Sequence, residues 1–177
     1  MSARVMGLAG WSGSGKTTLL TRLIPLLVAR GLKVSTLKHA HHEFDIDHPG
    51  KDSYAHRQAG AGEVVVSSTR RWVIMHEIGD GPEATLPELL ARMSPCDLIL
   101  IEGFKADPHV KLEVYRGAIG KTPVHPLDPH IVAIASDTPF PDAGRPVAHL
   151  DDIEAIAALV LIHAEPLDVV LARMARG

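Results

Sequence analysis

The sequence has few of the residues on which several protein classes depend. It contains one cysteine, Cys96, which excludes an internal disulfide framework and any four-cysteine zinc site. It has no excess of positive charge, since 18 basic and 21 acidic residues give a formal net charge of −3, and this argues against a nucleic-acid partner. Only 4% of its residues are aromatic, so its core must be built from aliphatic side chains.

Long apolar segments are also missing. The longest run built only of Ala, Val, Ile and Leu is 155–162, far short of the ~20 residues that span a bilayer. The first apolar stretch, Val5–Ala9, follows a single arginine and has no cleavage-like site, so it does not resemble a signal peptide. We therefore expect a cytoplasmic protein with no membrane partner.

The residues that are present indicate one folded domain. Apolar residues make up 46% of the 177 residues and charged residues 22%, as in ordinary soluble domains. A chain of this length corresponds to about one domain of ~150 residues. We expect a single domain that spans residues 1–177.

Short apolar runs alternate with longer helical patterns along the chain. The predicted strands are Val5–Ala9, Val34–Leu37, Glu63–Ser67, Arg71–Glu77, Asp97–Glu102 and Ile131–Ala135, with Lys111–Arg116 as an edge strand. The predicted helices are Lys16–Ala29, closed by Gly31, then Leu86–Met93, a helix capped by Asp151, and the short amphipathic stretch Leu167–Met174, which covers the sheet or contacts a second subunit. Because the buried strands are continuously apolar, we expect a mostly parallel sheet with helices on both faces, a three-layer α/β fold.

One motif carries a specific chemistry. The segment Gly10–Thr18 fits the phosphate-loop pattern G-x-x-x-x-G-K-[ST] at every fixed position, between an apolar strand and a leucine-rich helix. Its glycines allow backbone N–H groups to turn towards phosphate oxygens, and the helix adds the positive end of its dipole. We expect Lys16 to reach the β- and γ-phosphates and the Thr17 hydroxyl to ligate Mg²⁺. The motif makes the expected three-layer α/β fold P-loop NTPase-like. The expected nucleotide-binding residues of this loop are Gly10, Ser12, Gly13, Ser14, Gly15, Lys16, Thr17 and Thr18.

A site of this type also needs a carboxylate at the end of a neighbouring strand, to hold the metal ion. Glu102 ends the predicted strand 97–102, and the carboxyl ends of parallel strands line the ligand crevice of such sheets. We therefore expect Glu102 to be the second metal ligand, with Gly103 permitting a sharp turn over the site. Asp97, at the other end of the strand, is expected to be a turn or cap residue.

Five of the eleven histidines lie in one segment after the second predicted strand: His39, His41, His42, His48 and His56. Imidazoles and neighbouring carboxylates at this spacing suit a transition metal. Alternatively, Lys51 and Arg57 meet a phosphate, and Asp47 acts as a base or an outer-shell magnesium ligand. A polar surface loop fits the composition equally well, so the sequence leaves these three interpretations open.

Asp137 is a candidate for recognition of the nucleotide base. It follows the predicted strand 131–135, and a carboxylate matches the paired N–H donors of guanine. Asp137-Thr138-Pro139 is equally an ordinary turn sequence, and the chain has no N-K-x-D motif. Selectivity for guanine therefore has no sequence signature beyond Asp137.

Together these motifs resemble those of the MobB family, GTP-binding adapters of molybdopterin guanine dinucleotide biosynthesis. Three blocks carry the resemblance, in this order: Gly10–Leu20; Thr36–Asp47, continuing through Pro49–Ser53 to His56–Ala61; and Asp97–Lys105, followed by Lys111–Arg116. The middle block is the most specific, because phosphate loops occur in many unrelated proteins.

The resemblance implies a homodimer that binds GTP with Mg²⁺ and hydrolyses it weakly at most. It also implies a partner, the MobA-like guanylyltransferase that joins GMP to molybdopterin. By the same resemblance, Gly13–Thr18 and Glu102 hold the triphosphate and the metal. Asp47, Ser53 and Arg57 are then expected to lie across the same groove.

Two other functions share these features. A small-molecule kinase or an ATP-dependent ligase has the same loop and strand-end glutamate, with Asp47 as a base for the acceptor. A metal-delivery GTPase of the nickel type would use His39, His41 and His42 as ligands. Such proteins often use a pair of thiolates, whereas this chain has a single cysteine.

Overall fold

A computed structural model describes residues 3–40 and 44–176 of the chain. Contacts divide the chain into two compact units. The first comprises Met1–His39 and Arg92–Gly177, and the second comprises Ala40–Ala91. The single domain expected over residues 1–177 stays a prediction.

Each predicted strand and helix is present, although some consecutive strands have no helix between them. The strands are β1 (Arg4–Ala9), β2 (Val34–Lys38), β3 (Glu63–Ser67), β4 (Trp72–His76), β5 (Leu98–Glu102), β6 (Lys111–Tyr115), β7 (Ile131–Ser136), β8 (Val147–His149) and β9 (Glu165–Pro166). The helices are α1 (Lys16–Ala29), α2 (Asp52–Gln58), α3 (Leu86–Ala91), α4 (Ile153–His163) and α5 (Leu167–Met174), with a 3₁₀ turn at Gly117–Ile119. Among the described residues, no helix has both the length and the apolar character needed to cross a membrane.

The first unit is built on a seven-stranded sheet. Six strands lie in the order β2-β5-β1-β6-β7-β8, and every neighbouring pair in this order is parallel. Along its other edge β1 has two partners: β9 pairs antiparallel with Arg4 and Val5, while β6 pairs with Gly7 to Ala9. The prediction of a mostly parallel sheet is confirmed.

Helices cover both faces of this sheet. On one face, a cluster of buried aliphatic side chains joins the sheet to α1 and α4, and it includes Met6 of β1, Leu23 of α1 and Val160 of α4. Because side chains alternate along a strand, Val5 points to the opposite face. There α5 packs against β1, and its Val170 is fully buried outside the first cluster. The predicted three-layer arrangement is therefore confirmed, and α5 covers the sheet.

Helix α1 has the predicted bounds. Its buried residues, Leu19, Leu20, Leu23 and Leu27, recur at helical spacing, so the leucine stripe is the side that enters the core. Gly31 follows the helix with a φ of 85°, the left-handed conformation in which glycine commonly ends a helix.

The cap of α4 is Asp152, not Asp151 as predicted. Asp152 Oδ1 accepts a hydrogen bond from the backbone N–H of Ala155 at 3.0 Å. Both aspartates precede the same apolar stripe, so the sequence pattern does not distinguish them. The Asp151 carboxylate instead lies 3.6 Å from Arg22 Nη1 and 3.7 Å from His149 Nδ1.

Strand β6 is not at the edge of the sheet, contrary to the prediction. It lies between β1 and β7, and its Lys111 and Glu113 are only 1% and 0% exposed. Buried charges need partners, and both side chains have them. Lys111 Nζ donates to Asp128 Oδ2 at 3.0 Å and to the backbone oxygen of Asp107 at 2.8 Å. Glu113 accepts a hydrogen bond from the backbone N–H of His125 at 2.9 Å, and its Oε2 lies 2.7 Å from the Nδ1 of that residue.

The second unit contains a separate two-stranded sheet. Strands β3 and β4 pair antiparallel, with Val65 opposite Ile74, and α2 packs against β3. Both strands are predicted, but they are not part of the parallel sheet. Only residues 68–71 separate them, which is too short for the crossover that a parallel pair requires.

Candidate functional site

The loop between β1 and α1 has the backbone conformation that its glycines permit. Gly10, Gly13 and Gly15 have φ values of 142°, 81° and 94°, which residues with side chains rarely adopt. At Gly10, a β-carbon would also lie 2.5 Å from the backbone oxygen of Val114 and 2.8 Å from Ser14 Oγ. The loop is therefore folded so tightly against the end of β6 that only glycine fits at position 10.

The hydroxyl residues of the loop have different environments. Ser12 is exposed at the tip of the loop. Ser14 is 1% exposed, and its Oγ has no hydrogen-bond partner in the described part of the chain. Thr18 lies in the first turn of α1, where its backbone oxygen accepts a hydrogen bond from Thr21 Oγ1 at 2.9 Å.

The ammonium group of Lys16 lies over the loop that precedes it. Its Nζ donates to the backbone oxygens of Gly10 and Trp11, each at 2.9 Å. Partial burial lowers the pKa of Lys16, and the nearby carboxylate of Glu102 opposes this effect. A cation beside a turn of backbone amides is the arrangement by which phosphate loops hold the β- and γ-phosphates.

The two predicted metal ligands are close together. Thr17 Oγ1, in the first turn of α1, lies 3.4 Å from each carboxylate oxygen of Glu102, which ends the neighbouring strand β5. Mg²⁺ prefers hard oxygen ligands and keeps several of its waters, so one hydroxyl and one carboxylate suit it. The donor set at this point therefore fits magnesium.

The sharp turn predicted after Glu102 is present. Gly103 has a φ of 102°, and a β-carbon there would lie 2.5 Å from the Cβ of His39. The backbone N–H of His39 donates to the backbone oxygen of Glu102 at 2.8 Å. Phe104 follows with a φ of 48°, and its ring centroid lies 4.9 Å from that of the His39 imidazole. These contacts hold the end of β5 against the end of β2.

Sequence reasoning missed one cation beside the loop, Arg116. It follows β6 directly, and a β-carbon at Gly15 would lie 3.4 Å from Arg116 Nη2. Its Nη1 lies 3.7 Å from Asp137 Oδ2. The signal that points to it is positional, because Arg116 follows a parallel strand at the same end of the sheet as Glu102.

Asp137, expected to recognise guanine, has several partners in its own chain. Its Oδ1 accepts hydrogen bonds from the backbone N–H of Gly117 at 2.8 Å and from Thr138 Oγ1 at 3.1 Å. The Gly117 N–H is the main reason that the pKa of the Asp137 carboxyl lies below its usual value. Recognition of guanine by Asp137 stays a prediction.

Trp11 connects the loop to the segment after β6. Its Nε1 donates to the backbone oxygen of Thr122 at 2.7 Å. Lys121 Nζ lies 5.9 Å from the centroid of the Trp11 ring, within the range of a cation–π contact. The indole is 41% exposed, so this face of the loop is open to solvent.

The other predicted binding residues, Asp47, Ser53 and Arg57, lie in the second unit and contact one another. Ser53 Oγ donates to Asp47 Oδ1 at 2.9 Å, and Arg57 Nε lies 3.4 Å from Asp47 Oδ2. Arg57 also pairs with Asp45 at 2.8 Å and with Glu77 at 2.9 Å. Its hydrogen bonds to Glu77, which has the larger effect, and to Asp45 raise the pKa of Arg57. The position of the three residues across the nucleotide groove stays a prediction.

The histidine segment is described only in part, because His41 and His42 lie outside the described residues. Over 3–40 and 44–176, no group of three or more His, Cys, Asp and Glu side chains is placed to hold a metal ion. The histidine ligand set of a metal-delivery GTPase stays a prediction.

Comparisons with known proteins address the chain as a whole. Residues 5–137 match the model of the MobB family, described as molybdopterin guanine dinucleotide synthesis protein B. The molybdopterin-guanine dinucleotide biosynthesis adapter protein of Escherichia coli (strain K12) is 45% identical over 162 residues, which cover 89% of this chain and 91% of that protein. The protein of the same name from Haemophilus influenzae is 37% identical over 159 residues, which cover 88% and 86% of the two chains. A crystal structure of Bacillus subtilis MobB aligns with a TM-score of 0.70 and 25% identity, over 92% of this chain and 98% of that one.

The parallel sheet, its flanking helices and the glycine loop after the first strand define a protein of the P-loop NTPase-like α/β class. Within that class, the family model matches well over half of the chain and the Escherichia coli relative matches most of it. This chain belongs to the MobB family.

Proposed function

We propose that this protein binds GTP with Mg²⁺ at the loop Gly10–Thr18 and acts as an adapter in molybdopterin guanine dinucleotide biosynthesis. The observation that carries the proposal is the proximity of Thr17 Oγ1 and the Glu102 carboxylate beside a glycine loop that holds Lys16 Nζ. Backbone amides, one cation and two hard oxygen ligands are the components with which such sites bind a nucleoside triphosphate and its metal. The names of the Escherichia coli and Haemophilus influenzae relatives support the adapter role.

Each group of the site has one role in this proposal. The backbone amides of Gly13–Thr18 bind phosphate oxygens. Lys16 exchanges its two carbonyl partners for phosphate oxygens, which accept stronger, charge-assisted hydrogen bonds. Thr17 and Glu102 hold Mg²⁺, which when bound neutralises charge on the β- and γ-phosphates.

The same site leads us to propose weak hydrolysis at most. Many P-loop GTPases orient the attacking water with a glutamine. The only glutamine in this sequence is Gln58, which belongs neither to the loop Gly10–Thr18 nor to the strand ends beside it. We infer that the bound nucleotide, rather than its rapid turnover, serves the adapter.

The proposed partner is the MobA-like guanylyltransferase that joins GMP to molybdopterin. An adapter requires a second protein, and the relatives named above are adapters in the biosynthesis of the guanine dinucleotide. The transferase and this protein would then both handle a guanine nucleotide.

We further propose a homodimer with the sheet of β3 and β4 at its interface. Val65, Trp72 and Ile74 are 57%, 62% and 47% exposed, and strand alternation places all three on one face of this sheet. A two-stranded sheet by itself is marginally stable in water and needs further strands or a covering surface. A second copy is the occupant we propose, because the pair also leaves its outer edges unpaired among the described residues.

Calorimetric titration with GTP and ATP tests nucleotide binding. We expect GTP to bind more tightly than ATP, and Lys16→Ala to weaken GTP binding by about 10- to 100-fold, the effect of losing charge-assisted hydrogen bonds. Lys33→Ala is the matched control, because it removes the same charge from an exposed residue before β2, at the other end of the parallel strands. Undiminished affinity in Lys16→Ala contradicts the proposal.

The metal role has its own test. Glu102→Gln should reduce the dependence of GTP affinity on Mg²⁺, since an amide is a weaker ligand for a hard cation. Glu154→Gln, an exposed change on α4, should leave that dependence unaltered.

Turnover of GTP on the order of 10 s⁻¹ without a partner, the rate of a typical enzyme, would contradict weak hydrolysis. Phosphate transfer to an added acceptor would favour a small-molecule kinase.

Sedimentation and pull-down experiments test the assembly. We expect the protein to sediment as a dimer and Ile74→Lys to shift it to a monomer. Leu127→Lys is the control, because Leu127 is an exposed apolar residue of the first unit. The guanylyltransferase should be retained on the immobilised protein to different extents with GTP and with GDP, and its absence from both eluates would contradict the proposed partner.

A further inference from the structure

Arg116 lies on the opposite flank of the phosphate loop from Glu102. Strand β1, which leads into the loop, has β5 on one side and β6 on the other. Glu102 ends β5, while Arg116 follows the last residue of β6. Strand pairing therefore sets the carboxylate and the guanidinium on either side of the loop.

The guanidinium of Arg116 packs against the backbone of the loop at Gly15. A β-carbon built at Gly15 would lie 3.4 Å from Arg116 Nη2 and 3.9 Å from its Nε. Gly15 is also the cap of α1, immediately before Lys16. The missing side chain at position 15 thus lets a second cation approach the start of the helix.

Asp137 holds this guanidinium in place. Its Oδ2 lies 3.7 Å from Arg116 Nη1, while its Oδ1 is fixed by the backbone N–H of Gly117 at 2.8 Å. A β-carbon at Gly117 would lie 2.5 Å from Thr138 Oγ1, so the turns after β6 and β7 fit closely together.

The guanidinium has hydrogen-bonding capacity left over. Its side chain is 43% exposed, and the ion pair with Asp137 is its one polar interaction with the described residues. Since a guanidinium has five N–H donors, several remain available to a ligand.

We propose that Arg116 binds the α-phosphate of the nucleotide and that Asp137 is the residue that positions it. This inference rests on the proposed function, because it places a nucleotide at the loop. Lys16 and the metal act on the β- and γ-phosphates, and Glu102 places that end of the triphosphate beside β5. The α-phosphate and the nucleoside then lie towards β6, where Arg116 presents its remaining donors. Arginine matches phosphate because its planar fork makes paired, charge-assisted hydrogen bonds.

This assignment gives Asp137 a role that differs from base recognition. A residue that acts through Arg116 on a phosphate affects GTP and ATP equally, because both carry the same α-phosphate. A residue that binds guanine affects GTP alone. The two roles are therefore separable by comparing the two nucleotides.

Calorimetric titration with GTP, GDP and ATP provides the test. Arg116→Ala should weaken GTP and GDP by the same factor, about tenfold or more. The affinity of Arg116→Lys should lie between those of the parent and of Arg116→Ala, because lysine keeps the positive charge but lacks the planar, forked guanidinium. Asp137→Asn should weaken GTP and ATP equally and by a smaller factor.

Arg22→Ala is the matched control. The Arg22 side chain is also 43% exposed, and its Nη1 lies 3.6 Å from an aspartate carboxylate, that of Asp151. The Arg22→Ala variant should bind GTP and GDP with the same affinities as the parent protein. Thermal melting of each variant separates lost binding from lost folding, and Arg116→Lys keeps the test decisive where the alanine variant is unfolded.

Three results would overturn the inference. GTP and GDP affinities unchanged in Arg116→Ala would remove Arg116 from the site. A loss confined to GTP would assign Arg116 to the γ-phosphate instead of the α-phosphate. A loss of GTP but not ATP in Asp137→Asn would make Asp137 a base-binding residue rather than a positioning residue. If the parent protein binds neither nucleotide, the proposed function itself fails and the inference with it.

Discussion

The imidazole of His109 occupies the space that a side chain would need at Gly7. A β-carbon on Gly7 would lie 2.4 Å from His109 Nε2 and 2.7 Å from its Cδ2. Gly7 lies in the middle of β1, and His109 is completely buried just before β6. The glycine therefore allows a polar ring to pack directly against the strand that leads into the phosphate loop.

Gly7→Ala should destabilise the protein for this reason. The added methyl group must displace a fully buried ring, and such overpacking typically costs about 1–3 kcal/mol. Urea unfolding gives the free energy of unfolding. Gly62→Ala is the control, because nothing lies within 4 Å of a β-carbon there and its φ is not in the left-handed region. If the two variants are equally stable, the ring does not restrict position 7.

Buried His109 should also make stability depend on pH. Burial, with a contribution from Lys111, lowers the pKa of His109 from 6.5 to about 4. The unfolded chain then takes up a proton near pH 6.5 that the folded chain takes up only near pH 4, so stability is retained above 6.5 and falls as the pH drops towards 4. Because of this proton, the free energy of unfolding should fall by about 2 kcal/mol as the pH drops from 6.5 to 5.

The measurement is urea unfolding at several pH values for the parent and for His109→Gln. For each protein, the free energy of unfolding is plotted against pH. The difference between the two slopes isolates the contribution of His109 from that of the carboxylates, which titrate at lower pH. The glutamine variant should lose most of the slope between pH 6.5 and 5. Identical slopes in the two proteins would show that His109 does not carry this dependence.

Gly10→Ala should damage the loop more than Gly13→Ala. Both positions have positive φ, so alanine is strained by about 1–2 kcal/mol at each. At Gly10 the new β-carbon also meets the backbone oxygen of Val114, whereas nothing lies within 4 Å of one at Gly13. We expect a larger drop in melting temperature and a greater loss of GTP affinity for Gly10→Ala. The reverse order would mean that the contact with Val114 relaxes without cost.

Arg57→Met should loosen the second unit. It leaves three carboxylates, those of Asp45, Asp47 and Glu77, without their shared cation. Hydrogen exchange should accelerate over α2 while the amides of β1 keep their protection. Arg71→Met, which changes an exposed arginine of the same unit, is the control. Unchanged exchange over α2 would count against this role of Arg57.

Local patterns made part of the fold predictable. Helix α1 and its loop follow from a leucine stripe and a glycine–lysine motif that lie within 20 residues. The place of β6 depends on residues further along the chain, because Lys111 and Glu113 become buried only through Asp128 and His125, 17 and 12 positions later. Alternating charges in the strand itself are equally compatible with an exposed edge.

Other elements left no periodic signal. Helix α2 has no buried residue, so it shows no apolar stripe. Strand β9 has two residues, too few for any alternation to appear. Elements that are this short, or that have no buried residue, are fixed by tertiary contacts rather than by local pattern.

The site was predictable to the same extent. Thr17 and Glu102 each belong to a motif or end a strongly apolar strand, and the rule for parallel sheets brings them to one edge. Arg116 has no such mark, since within its own segment it looks like any arginine at the end of a strand. Only the order of the strands, with β6 directly beside β1, places it at Gly15.

The pairing of β1 has a consequence for biosynthesis. Its neighbours are residues 98–102, 111–113 and 165–166, although β1 itself ends at Ala9. On the ribosome this strand is made early and acquires its first neighbour only after more than half of the polypeptide has been translated. Long-range pairing of this kind forms late in folding. A chain truncated before β5 lacks both this partner of β1 and Glu102, so the proposed nucleotide site assembles only after residue 102 has been made.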